Sequence, residues 1–178
     1  AIGGDAGVRA RLWSKMAELG WFGIAVESRF GGLGLGLAEL GVLYEELGRH
    51  LTPISVGQTL LAAEALKLGD NEELRAKWLP LIAAGEAAAT IALPRVNGVL
   101  NASAAPLRVN GTLEHVLEAD TAQLLLVPVV DASGTHTLAA IERSIVGLSV
   151  LQRPSIDPPR SLSTLTVLNA TVGCVQVL

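Results

Sequence analysis

The sequence has 178 residues, which suits one large domain or two small ones, and 50% of them are hydrophobic, so a substantial core can form. Its 13 basic and 17 acidic residues give a formal net charge of −4 and are mixed along the chain, which argues against nucleic acid or an anionic membrane as a partner. A single cysteine, no Cys/His cluster with metal-ligand spacing, no signal peptide and no bilayer-length apolar run predict a cytoplasmic protein without a disulfide, a metal site or a membrane anchor.

The first half of the sequence predicts helices. Apolar residues recur at helical spacing over 8–19, 37–49 and 57–68. Gly20 follows the first of these segments and can end a helix by adopting a left-handed conformation. Pro53 separates the second segment from the third. We therefore expect three helices in this region.

A fourth helix has the clearest predicted start. Asp70 can act as its N-terminal cap, and Glu73 three residues later has the spacing of a capping box. Apolar residues follow at helical spacing until Gly85. Because short connections join these helices, we expect them to pack as an antiparallel bundle.

After residue 86 the sequence predicts short strands. Asn110-Gly111 between two alternating runs predicts a tight hairpin, because both turn positions require positive φ. Leu124–Val130 is almost continuously apolar, as in a strand that is buried on both faces. Further strands are predicted over 87–93, 135–140, 146–151, 162–168 and 172–178. The sequence therefore predicts an α+β protein of two domains, a helical bundle over 1–86 and a small antiparallel β-barrel or sandwich over 87–178.

Three segments in this order resemble the acyl-CoA dehydrogenase family. Residues 27–34 (ESRFGGLG) are similar to the family's Pro-Glu-x-Tyr-Gly-Gly-x-Gly loop, and residues 45–49 (EELGR) to its Glu-Glu-Leu-Ala/Gly-Arg helix. Residues 78–86 (WLPLIAAGE) are similar to its Tyr/Trp-Leu-Pro-x-Leu-Ala-x-Gly-Glu segment. In the β half, residues 110–112 (NGT) resemble the family's Asn-Gly-x-Lys, and Ala119-Asp120 resembles its Ala-Asp before a strand.

The resemblance implies the chemistry of this family. Its members use FAD to oxidise an acyl-CoA thioester: a carboxylate removes the α-proton and the flavin accepts the β-hydride. The family's catalytic carboxylate lies on a C-terminal helical bundle, which we expect to fall beyond residue 178, so no catalytic residue is assigned in this sequence. The resemblance covers the family's N-terminal and middle domains, and such a part would be inactive alone. Family members form homo- or hetero-oligomers, and the truncated sequence predicts uncovered apolar surface.

The sequence departs from the family where the flavin is expected to bind. The family's Thr-Glu-Pro-x-Ala-Gly-Ser-Asp is replaced by residues 93–98 (LPRVNG), which lack its hydroxyls, and only the backbone of Leu93 remains as a cofactor contact. The family's Trp-Ile-Thr-Asn is replaced by residues 115–118 (HVLE), so His115 stands at the position of the Trp that covers the flavin. Leu117 stands at the position of the Thr that binds the flavin edge. FAD binding by this chain is therefore doubtful.

Two functions follow from these motifs, and a third interpretation stays open. The first is a part of an FAD-dependent acyl-CoA dehydrogenase. The second is a non-catalytic, flavin-poor structural subunit of a heteromeric acyl-CoA dehydrogenase, which the loss of the flavin motifs favours. The third is an unrelated helical-plus-β module that binds a partner. Arg153 and Arg160 could contact CoA phosphates or form surface salt bridges, and the Gly-rich residues 31–34 predict a tight loop rather than a phosphate site.

Overall fold

The computed structural model describes residues 6–52, 56–103, 107–156 and 160–175. The helices are α1 (Ala6–Glu18), α2 (Leu37–Arg49), α3 (Gly57–Leu68), α4 (Glu72–Ala83) and the single turn α5 (Pro94–Asn97), with 3-10 turns at Trp21–Gly23 and Ser28–Phe30. The strands are β1 (Ala89–Ile91), β2 (Leu100–Ser103), β3 (Arg108–Leu117), β4 (Leu124–Val130), β5 (His136–Glu142), β6 (Leu148–Arg153), β7 (Leu162–Thr171) and β8 (Gly173–Val175). No helix among these residues is long and apolar enough to cross a membrane.

The four longer helices occur where the sequence predicts them. The helices α2 and α3 have their predicted bounds, and α1 begins two residues earlier than expected. The predicted cap of α4 is wrong by one residue. Asn71, not Asp70, is the N-cap, and its Oδ1 accepts a hydrogen bond of 3.0 Å from the backbone N–H of Leu74. The cap must directly precede the first helical residue to reach the free N–H groups, and Asp70 lies one position too early.

The Gly-rich loop between α1 and α2 is fastened to the turn that precedes it. The backbone N–H of Leu33 donates to the carbonyl of Gly23 at 2.8 Å, and that of Gly34 donates to the carbonyl of Val26 at 2.8 Å. Gly32 passes so close to Val26 that an added Cβ would lie 2.1 Å from its carbonyl oxygen. This close approach explains the glycine in structural terms, as expected for a tight loop.

The strands form one mostly antiparallel sheet of eight strands, in the order β6-β7-β3-β2-β4-β5-β8. Strand β1 pairs with β4 outside this order, and β1 and β2 both run parallel to β4. An antiparallel β half is therefore confirmed, but a closed barrel is not. Within the described ranges, β6 and β8 end the order without pairing with each other.

The predicted hairpin at Asn110-Gly111 is wrong. Both residues lie inside β3, where the register with β7 shifts between Val109 and Gly111. Asn110 Oδ1 accepts a hydrogen bond of 2.7 Å from the backbone N–H of Asn169 on β7. Gly111 has a φ of 137°, and an added Cβ would lie 3.0 Å from Leu100 Cδ2. The register shift sets two residues of β7, Leu168 and Asn169, opposite Asn110. The β-bulge is therefore on β7, where Asn169 has a φ of 53°, and the pair Asn110-Gly111 faces it.

Three groups of buried apolar side chains make up the core. One consists mainly of side chains from β2, β3, β4, β5 and β7. Another lies among α1, the 3-10 turn at Trp21–Gly23, α2 and α3. The third joins the helices to the sheet, since it contains Leu79 and Ile82 of α4 together with Leu124 and Leu126 of β4. The helices therefore pack against strands as well as against each other.

Candidate functional site

The segment at which the family resemblance places a flavin forms a corner of α5 and β3. Leu93 leaves β1 in an extended conformation and directly precedes α5. Pro94 occupies the first turn of that helix, where its missing N–H costs no hydrogen bond. Asn97 ends α5 and is buried. The helix packs against β3.

Asn97 uses both ends of its side-chain amide inside this corner. Its Oδ1 accepts a hydrogen bond of 2.7 Å from the backbone N–H of Leu93. Its Nδ2 donates to the carbonyl oxygens of Glu114 and His115 at 2.8 and 3.0 Å. We refer to Leu93, Asn97, Glu114 and His115 as the Asn97 corner. One buried side chain thereby satisfies one backbone donor and two backbone acceptors from separate elements.

The irregular backbone of β3 makes this arrangement possible. His115 has a φ of 57°, and the register with β7 shifts between Leu113 and Val116. A β-bulge of this kind removes carbonyl groups from the ladder between strands. The carbonyls of residues 114 and 115 are then available to Asn97, while the side chain of His115 is exposed.

The residues of the Asn97 corner do not fit a bound flavin. The backbone N–H of Leu93, the one cofactor contact retained in the sequence, is already bonded to Asn97. The carbonyl of Leu117 accepts a hydrogen bond of 2.6 Å from Thr90 Oγ1, and its side chain offers no hydroxyl. Leu93 and Val96 expose 45% and 66% of their surface, so apolar groups replace hydroxyls at this position. A polar flavin edge placed here would lose hydrogen bonds worth about 1 kcal/mol each.

The structure therefore places Leu93 and His115 in one corner, joined through Asn97. The roles of both residues toward a cofactor stay predictions. Sequence reasoning missed Asn97, because an asparagine before a glycine ordinarily indicates a turn. The useful signal was Pro94 three residues earlier, which allows a short helix to begin directly after the strand.

A buried carboxyl group that sequence reasoning also missed lies at the end of β3. Glu118 has a φ of 57° and is 7% exposed. Burial raises the pKa of its carboxyl group to about 7, an effect that the positive charge of Arg9 opposes and the negative charge of Asp120 reinforces. Glu118 Oε2 lies 3.8 Å from Arg9 Nη2 on α1. Its Oε1 is buried and has no hydrogen-bond partner among the described residues.

Arg153 and Arg160 both line a cavity at the end of β6 and β7. The cavity has a volume of about 390 Å³ and is otherwise lined by Gln152, Pro154, Ser155 and Ser161. Arg153 Nε donates a hydrogen bond of 2.8 Å to Thr164 Oγ1. The described part of the chain contains no group of three or more His, Cys, Asp or Glu residues that could hold a metal ion.

A sequence profile of the acyl-CoA dehydrogenase N-terminal domain matches residues 4–86. Isovaleryl-CoA dehydrogenase from Solanum tuberosum is 28% identical over 158 residues, which cover 80% of this chain and 38% of that protein. This similarity extends through both the helical and the β half. The chain spans less than half the length of this relative.

Solved structures have the same fold. One described as the Tcur3481-Tcur3483 steroid ACAD superposes with a TM-score of 0.85 at 28% identity, over 93% of this chain and 47% of that one. The ChsE4-ChsE5 complex from Mycobacterium tuberculosis superposes with a TM-score of 0.83 at 24% identity, over 94% and 47% of the two chains. An acyl-CoA dehydrogenase from Bacillus anthracis, described as complexed with FAD, superposes with a TM-score of 0.76 at 21% identity, over 97% and 32%.

Proposed function

Because this chain belongs to the acyl-CoA dehydrogenase family, we propose that it is part of a non-catalytic, flavin-poor subunit that assembles with a flavin-bearing acyl-CoA dehydrogenase subunit. The observation that carries this proposal is the Asn97 corner. Its hydrogen-bonding groups bind one another, so they are not available to a cofactor.

The family motifs retained in the chain support a structural role. The Gly-rich loop of residues 27–34 is fastened by backbone hydrogen bonds that need its glycines. The segment of residues 78–86 supplies Trp78, Leu79 and Ile82 to the core that joins helices and sheet. Both motifs therefore maintain the fold, whereas the motifs that depart from the family are those expected to contact the flavin.

A subunit that has lost the motifs expected to contact the flavin would need a second, flavin-bearing subunit. The two structures with the higher TM-scores, 0.85 and 0.83, carry paired protein names, and one of them is described as a complex. The acyl-CoA substrate of such an assembly would be oxidised at the flavin of the partner. The chain described here would supply the fold against which that partner packs.

The flavin content of the complete natural protein tests the proposal. We expect the protein to bind well under one FAD per chain when it is purified alone, and FAD to appear when a flavin-bearing dehydrogenase subunit is co-expressed. The measurement is flavin absorbance after denaturation, divided by protein concentration. One FAD per chain in the protein purified alone would show that it is a complete flavoenzyme subunit and would refute the proposal.

A double variant tests the Asn97 corner itself. Asn97→Ala with Leu117→Thr frees the N–H of Leu93 and restores a hydroxyl in β3, so it adds two hydrogen bonds worth about 1 kcal/mol each to a bound flavin. We expect FAD affinity to increase about tenfold or more in a fluorescence titration. The control is Asn101→Ala, which removes an exposed asparagine from β2 and should leave affinity unchanged.

A further inference from the structure

We propose that Glu118 and Arg9 form a protonation-controlled latch, which fastens the N-terminal half of α1 to the end of β3. Ionisation of Glu118 closes the latch, and its protonation releases Arg9. This inference concerns the junction between two elements and does not depend on whether the chain binds a flavin.

The geometry places one buried acid against one cation from a separate element. Glu118 Oε2 lies 3.8 Å from Arg9 Nη2, and the side chains are 10% and 29% exposed. Arg9 lies in the first turn and a half of α1, ahead of Trp13. Trp13 fastens the later part of the helix, since its Nε1 donates a hydrogen bond of 2.7 Å to the carbonyl of Gly85. The described contacts therefore give the two halves of α1 separate attachments.

Backbone hydrogen bonds fix the main chain from which the carboxyl group of Glu118 extends. Its backbone N–H donates to the carbonyl of Ser161 at 3.0 Å, and its own carbonyl accepts from the N–H groups of Thr121 and Ala122. A φ of 57° is strained for a residue with a long side chain, and it persists only where surrounding contacts determine it. The main chain at Glu118 is consequently held by contacts that do not involve Arg9.

Few groups compete for this carboxylate. The charged groups that act on Glu118 are Arg9 from α1, Asp120 from the turn after β3, and Arg160 ahead of β7. Asp120 accepts a hydrogen bond from Ser161 Oγ, so its carboxylate is held beside β7. Glu118 Oε1 is buried without a hydrogen-bond partner in the described ranges. Arg9 is therefore the largest of the groups that favour the ionised form, ahead of the backbone of Ser161 and of Arg160.

Two pH effects of opposite sign follow from this arrangement. Burial raises the pKa of Glu118 from 4.5 to about 7 in the folded chain, so the unfolded chain releases this proton first. Global stability from this group is greatest below pH 4.5 and is lost as pH rises through about 7. The attachment of α1 behaves in the opposite way, because Arg9 favours the charged form of Glu118. It strengthens as pH rises through the same range.

Hydrogen exchange of the full chain measures both effects. Protection of the amides in α1, corrected for intrinsic exchange rates, should increase about two- to fivefold as pH rises across about 7, the size of one partly exposed ion pair. Glu118→Gln should abolish this increase, and Arg9→Gln should do so even if the first variant folds poorly. The control Glu114→Gln removes an exposed acid from the same strand and should preserve the increase.

The outcome that overturns the latch is equally specific. If global stability falls with pH as expected but α1 protection is unchanged in the wild-type chain, Glu118 is a buried acid that does not control the helix. An increase that survives in Arg9→Gln would also refute the proposal, because the cation would then have no part in it. Flavin content enters neither measurement, so this result stands apart from the proposed subunit function.

Discussion

Thr59 shows how one hydroxyl can join two elements of this fold. Its Oγ1 accepts a hydrogen bond of 3.1 Å from the backbone N–H of Ala89 and donates one of 3.1 Å to the carbonyl of the same residue. Both residues are buried, at 2% and 1% exposure. Ala89 lies in β1, the strand that pairs with β4 outside the main order of the sheet. The hydroxyl therefore completes the backbone hydrogen bonding of a short peripheral strand.

Replacing this hydroxyl should be costly. Thr59→Val keeps the shape and nearly the same helix propensity, but it leaves the buried N–H and carbonyl of Ala89 without this partner. We expect the free energy of unfolding to fall by about 1–3 kcal/mol in a urea titration. Thr112→Val is the matched control, since Thr112 makes no side-chain hydrogen bond within the described residues and lies in β3, where valine is favourable. Equal loss in the two variants would contradict the assigned role.

Asn97 is a second residue whose role becomes visible only in the folded structure. The sequence shows that residues 93–98 contain no hydroxyl side chain, but it gives no sign of what stands in its place. The amide of Asn97 on α5 bonds Leu93, directly before that helix, and two carbonyl groups of β3, so it depends on the distance between elements that are not adjacent in sequence. Periodicity describes one element at a time and cannot supply that distance.

The start of α4 is the element at which a local rule can be tested most directly. Asn71→Ala removes the side-chain acceptor for the N–H of Leu74, and we expect a loss of about 1 kcal/mol in unfolding free energy. Asp70→Ala, the residue that sequence reasoning assigned as the cap, should change stability by less than about 0.5 kcal/mol. The midpoints of thermal denaturation followed by circular dichroism measure both. A larger effect from Asp70→Ala would restore the original assignment.

The wrong prediction of a hairpin at Asn110-Gly111 also concerns a single secondary-structure element. Hairpin turns and β-bulges both use residues with positive φ, so the dipeptide predicts backbone freedom without specifying its use. In the structure Gly111 has its positive φ inside β3, opposite a bulge of β7, and Asn110 bonds to Asn169 of that bulge. Strand β3 pairs antiparallel with β2, with Ser103 opposite Arg108, and the residues between these two strands include 104–106, which lie outside the described ranges.

At the scale of the whole molecule, the predicted boundary between residues 86 and 87 crosses a continuous group of core residues. Leu79 and Ile82 of α4 share this group with Leu124 and Leu126 of β4. Two regions that share a core are expected to unfold together, because removing one exposes the apolar surface of the other. The predicted division into two domains, 1–86 and 87–178, therefore describes secondary structure and has yet to be tested as a division into folding units.

A substitution in the shared core tests this cooperativity. Leu126→Ala removes a fully buried side chain from β4 and should cost about 2–5 kcal/mol. We expect the fluorescence of Trp13, Trp21 and Trp78, all in the helical half, to report the same lowered midpoint as circular dichroism. Leu168→Ala, whose side chain is 66% exposed, should have little effect. A tryptophan transition that stays at the wild-type midpoint would show that the halves unfold independently.

The sequence by itself determined the four longer helices, most of the strands, the family and the lack of hydroxyl side chains in residues 93–98. Each of these is recorded in local spacing or in residue types at matched positions, so no long-range contact is needed to read it. The tertiary structure alone decided that Asn97 bonds Leu93, Glu114 and His115, that Glu118 is buried beside Arg9, and that helices and sheet share one core. These features depend on contacts between segments that are distant in sequence. Burial and hydrogen-bond partners are set by those contacts and not by any single segment.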